Sequence, residues 1–519
     1  MRKICLIHPP TPGCTGLGAS LGGREHIGLG YVSSFLQEAG YSVDILNVEG
    51  DFLSPHEAAE EVSQLCPVWA GVSPTSLSVG WAIEFGDCLR DLGTTPLVFG
   101  GHLATHMGET FLENVQSADV VVVGDGELPS LALTKALETN ALSGLQDVPG
   151  IVYRMSGQIL RSRVTKAPQR LDELPWPARP HIGEERRVKS ARVLTSRGCP
   201  HNCSFCTTPG FYNRSVRYRS MNDVVKEILW LCNNGARHFT MNDDMFFDNS
   251  PRSLERVQEF IALVSETIPG ISIRPSCRAD VLLENPQLLS DLKRVGMHCC
   301  FVGLESASAE DLDYFNKGLS PSQNVAVVEL CRQLGISLMP GFIMFSGAST
   351  LQSIRRNLGF LYKMDLLYRS TLICRTVLGF PGTDLFKQMH DTGSYDVERS
   401  SVFLAYPKFR DVRVRELSVA MQEVEALFSS VDSRMLHNRI QVFDRRNPPG
   451  QGEASDLAEP RYMLDEIAAG YYRTLMKAVE MAGRSISSDR ILSLFSRLLP
   501  AIEARTEEFE NALGTVYRR

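Results

Sequence analysis

The chain has 519 residues, 43% hydrophobic and 22% charged, with a formal net charge of −7 and a pI near 5.9. That length fits three or four domains rather than one, and the composition is that of a soluble globular protein with sizeable cores. The acidic balance argues against nucleic acid as a partner, and no apolar run is long enough for a membrane span or, at the start MRKICLIHPPTP, for a signal-peptide core, so a cytoplasmic location without a membrane partner is expected.

Residues 1–140 alternate β-rich runs with helical patterns. KICLI (3–7) is followed by a helix over 28–40, YSVDIL (41–46) by one over 55–65, and VWAGV (68–72) by one over 78–92. PLVF (96–99) precedes a helix over 104–115, and ADVVVVG (118–124) precedes one over 127–138. Five strands each followed by a helix predict a doubly wound parallel sheet, a Rossmann-like α/β fold. Ligands of such sheets bind at the carboxyl ends of the strands, which here read PPTPGCTG, SPTS, GGH and GDGE. GLGASLGG (16–23) lacks the lysine and the serine or threonine of a P-loop.

Residues 141–190 are expected to be a linker, with a hairpin-like DVPGIVYRMSGQILRS and then LDELPWPARP, where four prolines between 168 and 180 oppose a helix. A second alternation follows over 191–390. Its strands are predicted at SARVLTS (190–196), RHFTMN (237–242), ISIRPSC (271–277), HCCFVGL (298–304), ISLMPGFIMF (336–345) and TLICRTVLGF (371–380). Six βα units predict a partial (β/α)6 barrel with chemistry at the C-terminal strand ends. Residues 391–519 read as a mostly helical, polar region interrupted by RRNPPGQGEASDLAEP (445–460).

The first barrel strand runs into RGCPHNCSFCTTP. Cys199, Cys203 and Cys206 sit within eight residues and no fourth cysteine follows nearby. Three thiolates suit a four-iron cluster with one iron left open for a small molecule; the competing reading is a zinc site completed by His201 or a remote ligand. The other cysteines, such as Cys5, Cys66, Cys277, Cys299 and Cys300, lie in apolar strands and read as free thiols of the core.

C-x3-C-x2-C at the end of the first barrel strand, with Phe205 before the last cysteine, resembles the radical S-adenosylmethionine superfamily. NDDMFFDN, CRAD, GLESAS and GFPGT, together with GGHLAT, GDGE, DVPGIVYR and LDELPWPAR, resemble its subgroup with an N-terminal cobalamin-binding domain. The likeness covers about residues 1–390. It implies that Cys199, Cys203 and Cys206 ligate a [4Fe-4S] cluster with S-adenosylmethionine on the fourth iron, and that Phe205 packs near the adenine. Asn242, Asp243 and Asp244 would accept from the methionine amino group, Arg278 would pair with its carboxylate, and Glu305 would accept from ribose hydroxyls. Gly341 and Gly382 would let backbone approach the ligand.

In the cobalamin domain the resemblance places Ser73, Thr75 and Ser76 against the corrin edge, followed by Gly100, Gly101 and His102. Gly124, Asp125, Gly126 and Glu127 would admit the nucleotide tail. None of the eleven histidines has aspartate two before and glycine three after, the pattern that supplies a lower axial histidine in many cobalamin enzymes. His8, in HPP, is the nearest candidate and reads better as a loop histidine without a ligand role.

The implied activity is a cobalamin-dependent radical S-adenosylmethionine methyltransferase acting on an unactivated carbon of a small molecule, a natural product in the fullest reading. An external electron donor such as flavodoxin or ferredoxin would be its partner. The alternatives are a cyclase or ring-rearranging enzyme with the same cofactors, and a non-enzymatic cobalamin-binding module. The cysteine triplet argues against the last, because a sensor has no need of an open iron.

Overall fold

The computed structural model describes residues 2–10, 25–48, 53–138, 142–162, 170–179, 190–368, 370–445, 458–484 and 487–516. The glycine-rich 16–23 stretch and most of 445–460 lie outside the described residues. β1 (Lys3–His8), β2 (Ser42–Asn47), β3 (Ala70–Val72), β4 (Leu97–Phe99) and β5 (Val120–Val122) pair in parallel in the order β2-β1-β3-β4-β5. The alternation of β1 sends Cys5 and Ile7 into the core on one face and Ile4 and Leu6 into the core on the other, as a strand covered by helices on both sides requires. The strand order switches direction between β1 and β3, which opens a crevice at their carboxyl ends.

Two stretches of this half differ from the sequence-based expectation. The helix expected over 104–115 is two helices, Gly101–Met107 and Glu109–Asn114, divided at Gly108, whose φ of +52° leaves the helical region. The hairpin expected within the linker belongs to the sheet. β6 (Ile151–Met155) pairs antiparallel with β5, and β7 (Gln158–Arg161) with β6, giving seven strands. Ser156 and Gly157 both take positive φ (51° and 78°) in its two-residue turn, the geometry that matches strand twist.

In the second half β8 (Ser190–Val193) pairs in parallel with β11 (His238–Met241), and β11 with β12 (Ser272–Arg274). β13 (Ser276–Cys277), β14 (Cys299–Glu305) and β15 (Ser337–Phe342) continue the wall. Pro275, without an amide hydrogen, separates β12 from β13. Between β8 and β11 the chain forms a small antiparallel ribbon of β9 (Ser196–Arg197) and β10 (Arg217–Tyr218). The sixth expected strand is largely absent: Thr371–Cys374 is a helical turn, and Thr376 alone bridges in parallel to Phe345. Leu372, Ile373 and Cys374 are buried, and a short apolar run suits a buried turn of helix as well as a strand.

Three long helices, Val412–Arg445, Ala458–Gly483 and Ser488–Val516, follow. They are not an appended module. Leu417, Val424, Phe428, Tyr471 and Phe495 share one apolar core with the barrel residues Val193, Phe239, Ile273 and Leu304. Among the described residues no helix is long and apolar enough to cross a membrane.

Candidate active site

The three-cysteine loop leaves β9 through Gly198, whose φ is +104° and where a Cβ would collide with the Ser215 carbonyl. It ends at the short helix Thr208–Tyr212, which leads back to β10. Two consecutive carboxylates at the end of β11 tie it down. Asp243, 5% exposed, accepts from the amides of Thr195 (2.7 Å) and Ser196 (2.6 Å) and from the Thr195 hydroxyl (3.0 Å). Asp244 accepts from the Gly198 amide (3.0 Å) and the Thr208 hydroxyl (2.8 Å), one on either side of the cysteines. Burial pushes the Asp243 carboxyl up to about 6, although its three donors pull the other way. The structure therefore gives Asp243 a bracing role, whereas Asn242 and Asp244 also line the large cavity described below.

Cys199, Cys203 and Cys206 are free and partly buried. Burial pushes the Cys199 thiol up to about 11 and raises that of Cys206. Arg278 Nη1 lies 3.6 Å from Cys203 Sγ. The same guanidinium is held by Asp280 (3.1 Å twice) and by the Lys317 carbonyl (2.8 Å), so its cationic face is committed to the cysteine loop. Among the described residues no three His, Cys, Asp or Glu side chains close on a single metal ion. His201 Nε2 is buried without a hydrogen-bond partner.

The other barrel-mouth residues are placed as follows. Phe205 packs edge-to-face on Phe315, with ring centroids 5.7 Å apart, in a small apolar cluster. Glu305 ends β14 with φ +62°, an uncommon conformation for a non-glycine residue, and accepts from Lys317 Nζ at 2.8 Å. Gly341 allows β15 to pack on β14: a Cβ there would stand 2.8 Å from the Phe301 ring and 3.2 Å from Gly303. At Gly382, φ +83°, a Cβ would collide with the His106 imidazole of the first domain. Both glycines thus allow close packing within the chain.

A cavity of about 640 Å³ lies between the two α/β domains. Ser73, Thr75, Ser76 and the loops Gly100–His102 and Gly124–Glu127 line it from the first domain, and Arg197, Thr207, Asn242 and Asp244 from the barrel. Strand-end loops of both domains therefore face one space. The acids of GDGE are engaged across it: Arg197 donates to Asp125 (2.8 Å) and Glu127 (2.7 Å), and Arg217 to Asp125 (2.5 Å). His102 stacks on Phe211 (4.2 Å between centroids), with Nδ1 3.2 Å from the Thr207 hydroxyl, and His106 Nε2 lies 3.0 Å from the Thr207 carbonyl. Burial holds His8 and His26 neutral, at about 4 and about 3, and lowers His102 and His106. His8 closes β1 rather than lying in a loop, edge-on to His26 at 4.8 Å.

Arg197, Thr207, Phe211 and Lys317 went unsingled in the sequence reading. Arg197 carried a signal, being the one cation of SRGCP and opposite in sign to GDGE; the others show only once the chain is folded. Hydroxyls and tight backbone suit a corrinoid, and Glu127 Oε2, buried without a hydrogen-bond partner, is an acceptor that an amide of such a ligand would satisfy.

Two facing α/β domains, one carrying a three-cysteine loop, place loops of both halves around one cavity. The chain matches the radical SAM superfamily over residues 193–355 and the B12 binding domain over residues 15–134. It belongs to the cobalamin-binding radical S-adenosylmethionine enzymes, whose cofactors are a [4Fe-4S] cluster, S-adenosylmethionine and cobalamin. It is 25% identical over 396 residues (75% of this chain, 83% of the relative) to an uncharacterized methyltransferase of Pyrococcus horikoshii. It is 28% identical over 348 residues (64% and 67%) to the anaerobic magnesium-protoporphyrin IX monomethyl ester cyclase of a Synechocystis species. The solved structure of the cobalamin-dependent S-adenosylmethionine radical enzyme OxsB, with aqua-cobalamin and S-adenosylmethionine bound, superposes with a TM-score of 0.75 at 18% identity, covering 100% of this chain and 81% of that one.

Proposed function

We propose that the protein is a cobalamin-dependent radical S-adenosylmethionine methyltransferase that alkylates an unactivated carbon of a small molecule. The observation that carries this reading is a cavity lined by the cobalamin-domain strand ends and, from the barrel, by Arg197 and Thr207, which flank the cysteine loop; the three cysteines themselves do not line it. The likeness to the Pyrococcus horikoshii methyltransferase supports it. When bound, the cluster supplies the electron that cleaves S-adenosylmethionine and the cobalamin supplies a methyl group. Cys199, Cys203 and Cys206 would hold the cluster, and Asp243 and Asp244 fix the loop that carries them. Asn242 and Asp244 offer acceptors to an amino group at the cavity wall. Arg278 sets a positive charge beside Cys203. Glu127, Ser73, Thr75 and Ser76 would meet the corrinoid, with His102 and Phe211 stacked beside them. The electron enters from an external donor such as flavodoxin or ferredoxin.

The likeness to a cyclase favours a second reading, rearrangement without net methyl transfer. Product analysis separates the two. With methyl-deuterated S-adenosylmethionine under reducing, anaerobic conditions and the true substrate, methylation should give 5′-deoxyadenosine and S-adenosylhomocysteine in near-equal amounts. A trideuteromethyl group should appear on a substrate carbon. Sustained turnover that yields 5′-deoxyadenosine alone and an unlabelled product would establish the rearrangement instead.

A further inference from the structure

The β9–β10 ribbon separates two cavities. On one side Arg197 and Arg217 reach the domain junction; on the other, Tyr218 borders a second cavity of about 300 Å³, at the lower end of the range for small-molecule sites. Its lining is rich in arginine. Arg219 is neutralised by Asp223 and Glu227 (2.5 Å each), and Arg217 pairs with Asp125. The two acids of the lining meet only neutral donors: Asp172 accepts from the Ser220 amide (2.8 Å) and Glu259 from the Asn222 side chain (3.3 Å), and Glu259 also attracts Arg256.

Arg256 is different. It is 8% exposed, and its Nη2 donates to the Thr195 carbonyl (3.0 Å) and hydroxyl (3.3 Å), yet Nε and Nη1 are buried with no hydrogen-bond partner. Its guanidinium stacks 4.2 Å over the Tyr218 ring, which Arg252 approaches at 5.3 Å. Stacking offsets part of the charge and leaves the two N–H groups unsatisfied, a costly state for a buried donor. The buried Asp243 carboxylate attracts Arg256 from behind, but its oxygens are taken up by Thr195 and Ser196.

We propose that this cavity binds a phosphate group, free or as the ester of a small molecule, held by the Arg256 guanidinium and flanked by Arg252 and Arg170. A planar guanidinium matches a tetrahedral oxyanion, and arginines from two segments, Arg252 and Arg256 of the helix Pro251–Thr267 and Arg170, border the cavity. The volume leaves room beyond a bare phosphate for an esterified carbon skeleton. Because Thr195 joins Arg256 to Asp243, the bound phosphate would brace the strand end from which the cysteine loop departs. The site stands apart from the proposed methyl transfer, and its test does not depend on turnover.

The reconstituted holoenzyme is titrated anaerobically with inorganic phosphate and with ribose 5-phosphate, against chloride at matched ionic strength, and binding heat and thermal midpoint are recorded. Saturable binding with a rise in midpoint is expected for the phosphates alone. Tighter binding of the ester identifies a phosphorylated molecule as the source, and tighter binding of inorganic phosphate identifies the free ion. Arg256→Met should abolish the response, and Arg252→Met, at an exposed position whose loss leaves the fold intact, should weaken it by about tenfold, the scale of one charge-assisted hydrogen bond. An equal response to phosphate and chloride overturns the proposal. So does phosphate binding undiminished in Arg252→Met, the variant that decides if Arg256→Met does not fold.

Discussion

At Cys199 and Cys206 burial and function pull in opposite directions. Burial favours the protonated thiol, to about 11 at Cys199, whereas iron takes the thiolate, so loading the cluster must displace these protons. Cys199→Ala, Cys203→Ala or Cys206→Ala should abolish the brown chromophore or leave it incomplete, and should stop S-adenosylmethionine cleavage. Cys299→Ala and Cys300→Ala should keep the cluster, since both thiols are buried in the barrel core; iron and sulfide analysis reads the difference. His26 supplies a second test. Its Nδ1 caps the helix Ile27–Glu38 by accepting from the Leu29 amide at 3.1 Å, and burial, aided by His8, lowers it to about 3. A histidine lowered on folding gives stability that is complete above its unfolded pKa, about 6.5, and is lost as pH falls towards the folded value. His26→Asn keeps a good cap without the titration. It should match the parent at pH 7.5 and lose less stability between about pH 6.5 and 4, as followed by chemical denaturation.

Among the elements, strands buried on both faces were the most legible, because continuous apolar runs bounded by glycine and proline leave little choice. KICLI and HCCFVGL formed where expected, and ISLMPGFIMF formed as a strand that ends at Phe342, three residues early. TLICRTVLGF did not, since four buried apolar residues carry no period that separates a turn of helix from a strand. The DVPGIVYR hairpin was legible as a hairpin, but its address was not: joining β5 depends on a sheet edge that lies thirty residues back in the chain. The site followed the same division. The cysteine spacing was readable, whereas the engagement of Asp243, Arg278 and Glu305 by Thr195, Asp280 and Lys317 is a property of the folded neighbourhood. Gly382 shows what such a neighbourhood demands. Gly382→Ala should drive the loop off His106, lower the thermal midpoint and reduce cobalamin retained through gel filtration. Adding His106→Ala should recover part of the midpoint, because the collision is removed while the backbone strain at φ +83° remains.

For the molecule as a whole, the domain junction is built on buried charge. Besides the Arg197 fork, Arg179 pairs with Glu25 and with Glu227 (2.5 Å), and Arg219 shares Glu227, so two acids and two arginines from distant segments lie almost out of water. Breaking one such pair costs about 3–5 kcal/mol, because the partner is left charged and dry. Arg197→Met should therefore loosen the two halves from one another by an amount in that range, seen as a lower unfolding midpoint and weaker hydroxocobalamin binding, with the three cysteines intact. Asp125→Asn, which leaves Arg197 still held by Glu127, should cost less.

The Arg197 fork also bears on how such a chain can be rebuilt. Its guanidinium belongs to the segment that leads into the cysteines, and its neutralising acids belong to the loop after β5, so the corrinoid half and the radical half are not interchangeable parts. A chimera that imports a foreign N-terminal domain without an acidic pair at the GDGE position would strand a buried cation beside the cluster loop. Transplants that carry the pair along should assemble, and recombination in nature meets the same constraint.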